Sequence, residues 1–159
     1  MERMDREEFT ARTVRIEQRL YRVCCAILRC EQDREDAMQE AMLHAWRALH
    51  TLREEAYFET WLTRILINEC KSLLRRKHPD APLEAASAVA HRETEDYGLY
   101  RALHTLGVDE RIVLTLRFVN GYTIDETARM LHLTRAMVRY RTERAKKHLL
   151  HALEKEAAE

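Results

Sequence analysis

Apolar residues return along the start of the chain at the pitch of one helical face. Phe9, Ile16, Leu20, Val23 and Ile27 form the stripe of a long amphipathic helix. Glu31-Gln32-Asp33 interrupts the pattern, and a second helix is predicted over DREDAMQEAMLHAWRAL. Its inward positions are Met38, Met42, Ala45 and Leu49, with Trp46 alongside. Asp33 is expected to cap it, with Glu35 and Asp36 in the first turn. A charged connection from His50 to Ala56 leads to a third helix, YFETWLTRILINECKSLLRRK. There Phe58, Trp61, Leu62, Ile65, Leu66 and Leu73 are spaced for core packing, and Arg75, Arg76 and Lys77 suit a helix C-terminus.

The pattern then stops. Residues 78–96 contain both prolines, small residues and an acidic excess without a sustained apolar face, and are predicted to be a flexible linker. Such a segment of about 19 residues reaches at most ~65 Å, or ~25 Å as a relaxed coil.

Beyond it, Leu99, Leu103 and Leu106 mark a further helix that turns at Gly107, and Asp109 is expected to cap DERIVLTLRFVN. Gly121 supplies a chain reversal. Thr123-Ile124-Asp125-Glu126 fits a capping box opening a short helix that ends near His132. Leu133 is expected to be the buried pivot of a tight turn, and Thr134 can cap the long helix that follows.

Composition agrees with these elements. The chain has 159 residues, only 3 Gly and 2 Pro, and 34% charged residues. It lacks strand-type alternation, so an all-α fold of two small helical domains joined by the linker is expected, over residues 1–77 and 97–159. The formal net charge is zero, but RAMVRYRTERAKKH, from Arg135 to His148, holds the single acid Glu143 among six cations. The neutral total conceals a concentrated basic face.

Other chemistry finds little support. No apolar run approaches the ~20 residues of a membrane span, and the start MERMDREEFT has no signal-peptide centre, so a cytoplasmic chain without membrane insertion is expected. Cys24, Cys25, Cys30 and Cys70 are then expected as reduced thiols. Their CCx4C spacing lacks the paired pattern of structural zinc, and no metal or cofactor is expected. A glycine-rich phosphate loop, a nucleophile elbow and HExxH are all missing. No catalytic residue is assigned, and the chain is expected not to be an enzyme.

A short helix, a tight turn and a basic helix make a helix-turn-helix, whose second helix fits the DNA major groove. Ala128, Leu131, Leu133, Val138, Ala145 and Leu149 would form its inner seam. Arg135, Arg139, Tyr140, Arg141 and Arg144 would lie outside or at its edges. Arginine can read guanine or hold a phosphate, and the choice between these stays open.

The stretch LGVDERIVLTLRFVNGYTIDETARMLHLTRAMVRYRTERAKKHL resembles region four of the extracytoplasmic-function (ECF) sigma factors of bacterial RNA polymerase. DREDAMQEAMLHAWRAL followed by FETWLTRILINECKSLLRRK resembles their region two. The resemblance implies promoter-specific initiation: region four on the double-stranded −35 element and the polymerase flap, region two on the polymerase clamp helices and the melted non-template strand of the −10 element.

By the resemblance, Thr134, Arg135, Met137, Arg139, Tyr140, Arg141 and Arg144 would contact the −35 element. Asp36, Gln39 and Glu40 would meet the clamp helices. His50, Thr51, Leu52 and Arg53, with Tyr57 at the loop's edge, would capture a flipped −10 base. Flipping costs a few kcal/mol of stacking. Arg64, Asn68 and Lys71 would make polar −10 contacts, and Arg75 and Arg76, followed by Lys77, would clamp phosphates. His132 stands where the family commonly has Gly, at a left-handed turn position. Ala136 and Met137 likewise replace a common Gly and Thr. The family also implies control by an anti-sigma factor.

Two rival readings remain. A free-standing helix-turn-helix regulator would bind duplex DNA as a dimer and leave the first half unused. A helical interaction or sensor protein would have no DNA role. Trp46, Phe58 and Trp61 are expected to be core residues before base-stacking platforms.

Overall fold

The computed structural model describes residues 3–79 and 97–159. Most of the predicted linker, residues 80–96, lies outside the described residues. Among the described residues seven helices carry the fold and there is no strand. They are α1 (Arg6–Ile27), α2 (Glu31–Arg47), α3 (Phe58–Lys77), α4 (Tyr97–His104), α5 (Val108–Leu114), α6 (Ile124–Leu131) and α7 (Arg135–Ala157). Two short 3-10 turns, Leu49–Thr51 and Glu55–Tyr57, join α2 to α3.

Helix α1 opens on Asp5, whose carboxylate accepts from the Glu8 N–H at 2.8 Å, filling one of the orphan donors of a helix start. The anticipated stripe is buried throughout: Phe9, Ile16, Leu20, Val23 and Ile27. At its far end Arg34 donates to the carbonyls of Leu28 and Arg29 at 2.9 and 3.1 Å, which explains how an arginine of α2 comes to be buried.

Helix α2 starts earlier than expected, with Cys30 at its cap and no side-chain capping bond. Asp33 is therefore not the cap. It sits buried within the first turn and accepts from Lys77 at the end of α3, so a cross-helix ion pair has claimed the carboxylate. The face packed inward is Ala37, Ala41 and Ala45, with Met38 and Met42 half-buried beside it. Alanine lets α2 approach α3 closely, which turns the packed stripe one position from the expected one. Phe9, Phe58, Trp46 and Trp61 close one end, with Phe9 edge-on to Trp46 at 5.3 Å and to Phe58 at 5.7 Å. Phe58 is core, Trp61 is half-buried, and Trp46, 40% exposed, forms the rim.

In the second half Gly107 precedes α5 with φ −61°, so it is not a left-handed turn, and Asp109 lies in the first turn rather than capping it. The helix runs on through Thr115–Val119 as a π turn. Gly121 then reverses the chain at φ 72°, a conformation that glycine adopts without steric penalty.

The two halves pack against each other. Val108, Ile112, Leu116, Tyr122 and Met130 belong to the same apolar cluster as Ile16, Leu20, Val23 and Ile27. A smaller cluster of Leu106, Val113, Leu114 and Ala145 holds α5 to α7. Arg111 is wholly buried between them, donating to Ala26 O across the boundary and to Leu106 O within its own half, both at 2.6 Å. Burial, and then the nearby charge of Arg29, lower its pKa to about 10, which leaves it charged at neutral pH.

Candidate nucleic-acid interface

Helix α6 is set by a complete capping box: Glu126 N–H donates to Thr123 Oγ1 at 3.1 Å and Thr123 N–H to Glu126 Oε2 at 2.8 Å. It ends at His132, which is left-handed (φ 54°, ψ 43°), the backbone expected of that position. Leu133 N–H then returns to Ala128 O at 3.0 Å, and Thr134 caps α7 by accepting from Met137 N–H at 3.2 Å. A helix, a tight turn and a second helix are thereby fixed in the helix-turn-helix arrangement.

The seam residues Ala128, Val138 and Ala145 are buried, and Leu131, Leu133 and Leu149 are half-buried. Fully buried Met130 was not anticipated in that seam. It belongs to the apolar cluster that holds the α1 and α3 residues, not to the one that joins α5 to α7.

On the opposite face Thr134, Arg135, Met137, Arg139, Tyr140 and Arg144 are exposed, and Arg141 is half-buried. Tyr140 is 65% exposed, a degree of exposure that a packing role would not leave. Several of these cations are oriented by acids that the sequence did not single out for this role. Arg135 pairs with Asp125 at 3.1 Å. Arg141 lies 3.8 Å from Asp109, and Arg144 lies 3.8 Å from Glu110. His148 meets Glu110 at 2.7 Å. Arg135 and Asp125 are both exposed, and such a pair is weak and easily exchanged for phosphate.

In the first half Asp36, Gln39 and Glu40 are exposed together on the outer side of α2, opposite its alanine face. Asp36 accepts from Gln32 Nε2 at 3.0 Å. In the connection to α3, His50, Thr51 and Arg53 are exposed and Leu52 is half-buried. The Trp61 indole donates to Thr51 Oγ1 at 3.1 Å, tying the loop to the helix. Asn68, Arg75 and Arg76 are exposed.

Three of the anticipated −10 residues are already engaged by the second half. Arg64 Nη2 donates to Arg129 O at 2.8 Å. Lys71 Nζ donates to Asp109 Oδ1 at 2.9 Å. The Arg129 guanidinium lies over the Tyr57 ring, 4.4 Å from its centroid. Lys77 is taken by Asp33, whose hydrogen bond raises its pKa.

Among the described residues no helix is long and apolar enough to cross a membrane, and no group of His, Cys, Asp and Glu could hold a metal ion.

Known proteins supply the context. Residues 14–79 match the family model described as Sigma-70 region 2, and residues 98–149 match Sigma-70, region 4. The ECF RNA polymerase sigma factor SigM of Mycobacterium tuberculosis is 36% identical over 154 residues, covering 94% of this chain and 79% of that protein. The ECF RNA polymerase sigma-E factor of Escherichia coli is 28% identical over 134 residues, covering 72% of this chain and 70% of that one. The fold matches the sigma factor RpoE solved with the anti-sigma factor NepR from Bartonella quintana, with a TM-score of 0.79, 18% identity and coverage of 93% and 98%. It also matches CnrH in complex with the cytosolic domain of CnrY, with a TM-score of 0.74, 23% identity and coverage of 95% and 90%. Two matched regions in the family's order and a relative sharing more than a third of its residues place this chain among the ECF sigma factors of the sigma-70 family, the RNA polymerase subunits that direct transcription to promoters.

Proposed function

We propose a division of labour within that role. Residues 1–77 engage the polymerase core and the melted −10 element, and residues 97–159 engage the −35 duplex and the polymerase flap. Asp36, Gln39 and Glu40 form the clamp-helix contact. The loop residues His50, Thr51, Leu52 and Arg53, with Tyr57, hold a flipped base. Arg64, Asn68 and Lys71 read or position the strand, and Arg75 and Arg76 neutralise its phosphates. Thr134, Arg135, Met137, Arg139, Tyr140, Arg141 and Arg144 enter the −35 major groove. The protein works in the cytoplasm as a binding subunit with no reaction of its own, and an anti-sigma factor restrains it, as NepR and CnrY accompany the two structural neighbours.

The observation that carries this reading is the outward cationic face of α7 on a helix-turn-helix whose inner side is capped and packed. Phosphate attraction supplies affinity, and the groove-facing side chains supply discrimination. The test is reconstituted initiation: core polymerase, this chain and a genomic promoter library. Transcripts starting at a discrete set of promoters only when the chain is added are expected. Unchanged start sites would overturn the assignment of roles.

A further inference from the structure

We propose that Arg12 of α1, which touches neither DNA nor polymerase in the scheme above, is the positioning residue of the loop between α2 and α3. Its guanidinium pins the Glu55 end of that loop in the shape that receives a flipped base. The inference rests on the proposed role of the loop as a base pocket.

The loop has unequal ends. At the α2 end Thr51 N–H donates to Ala48 O at 2.8 Å and Leu52 N–H to Leu49 O at 3.1 Å. Leu49 is buried, and Leu52 packs against the core. Thr51 Oγ1 donates to Ala48 O at 2.7 Å while accepting from the Trp61 indole. At the α3 end every residue from Arg53 to Tyr57 is exposed, and none of them joins an apolar cluster. Tyr57 N–H donates to Glu54 O at 3.0 Å, a local bond that sets the shape of the turn but not its place.

Arg12 sets the place. Its Nη1 donates to Glu55 O at 3.3 Å and its Nη2 to Glu55 Oε2 at 2.8 Å, so one group holds both the backbone and the side chain of Glu55. Nε and Nη2 also donate to Glu8 Oε1, at 3.1 and 2.6 Å, and the guanidinium lies 5.9 Å from the centroid of the Phe58 ring. Glu8, one turn earlier, thereby orients the fork. That turn is itself fixed, because Asp5 caps it and buried Phe9 stands edge-on to Phe58. A planar guanidinium can serve two carboxylates and a carbonyl at once, which the compact ammonium of lysine cannot reproduce.

Global stability is not the purpose of these bonds. The Arg12 and Glu55 side chains are 28% and 43% exposed, and ion pairs so open to water add little to the stability of the whole chain. Their effect is local. An exposed run held in one place raises the fraction of molecules whose loop is ready for the base, and strand affinity scales with that fraction.

The test uses core polymerase reconstituted with the full chain as wild type, Arg12→Ala, Arg12→Lys, Glu55→Ala and the double alanine variant. A labelled single strand, its −10 sequence taken from the promoter selection, is titrated by fluorescence anisotropy. The titration is repeated with each base in turn removed to leave an abasic site. In the wild type one position should need its base. Both Arg12 variants should bind the intact strand roughly 3- to 10-fold more weakly and lose the dependence at that position. The other positions, the affinity for the −35 duplex and the melting temperature should not change. Glu55→Ala should reproduce the loss, and the double variant should be no worse than either single one. In the free chain, NMR order parameters of residues 53–57 should fall in Arg12→Ala while those of α1 and α3 hold. Unaltered order parameters, an Arg12→Lys that behaves as wild type, or a loss spread evenly over all positions overturns the role of Arg12. A wild type indifferent to every base sinks the base pocket instead, and the order parameters still decide whether Arg12 pins the loop.

Discussion

The thiols of Cys24 on α1 and Cys70 on α3 meet in the core with their sulfurs 3.7 Å apart, the Cys70 thiol donating to that of Cys24. Both side chains are fully buried. The hydrogen bond to Cys24, and burial after it, raise the Cys70 pKa well above the ordinary thiol value. Burial likewise raises that of Cys25, while Cys30 is exposed.

Thiol reactivity should follow this order. Alkylation of the native protein, read by peptide mass spectrometry, is expected to modify Cys30 first and Cys25 slowly. Cys24 and Cys70 should be protected until the chain unfolds. Prompt labelling of Cys70 in the native state would contradict the packing of α1 on α3.

The exposed arginines of α7 lead to a salt-dependent signature. Replacing Arg139 and Arg144 together by Ala should weaken duplex binding and flatten the slope of log affinity against log salt by about 0.9 per lost phosphate contact. If one of them reads a guanine, its single variant should relax preference at that base by about 1–3 kcal/mol. Titrations at several salt concentrations separate the two roles, and an unchanged slope with unchanged affinity would exclude this face from DNA.

On the outer side of α2, Asp36→Arg with Glu40→Arg should abolish association with core polymerase while leaving helicity by circular dichroism intact. The alanine face opposite carries the packing, so the reversal does not touch the core. Normal association in a pull-down would remove these carboxylates from the interface.

The caps of the helix-turn-helix have opposite signs. Thr123→Ala removes one half of the capping box and should cost about 1 kcal/mol, lowering the melting temperature by a few degrees. His132→Gly relieves a left-handed backbone and should stabilise by about 0.5–1 kcal/mol, the steric gain less the glycine entropy. Thermal denaturation of both variants checks the pair, and a destabilised His132→Gly would point to a contact of the imidazole that outweighs the backbone.

Much of this could be read in the residues. The stripe from Phe9 to Ile27, the box at Thr123 and Glu126, and the turn at His132 are local devices, each fixed by spacing or by one backbone requirement. What escaped depends on where distant elements meet. Nothing in the sequence marks Arg111 for burial, because its partners, Ala26 O and Leu106 O, are backbone atoms with no sequence signature. Val108, Ile112 and Leu116 announce an apolar face but not whether α7 or α1 covers it. The π turn over Thr115–Val119 leaves no periodic trace in TLRFV. Asp33 offered a good cap, and Lys77, far along the chain, took it.

The alanine seam of α2 has a consequence for how the proposed polymerase contact could be lost. Ala37, Ala41 and Ala45 act as a spacer of minimum thickness, setting how far Asp36, Gln39 and Glu40 stand out from the body of the molecule. A bulkier residue at any of the three would shift the whole acidic ridge outward and tilt it. Alleles that disable recruitment should therefore include changes at residues no polymerase side chain ever touches.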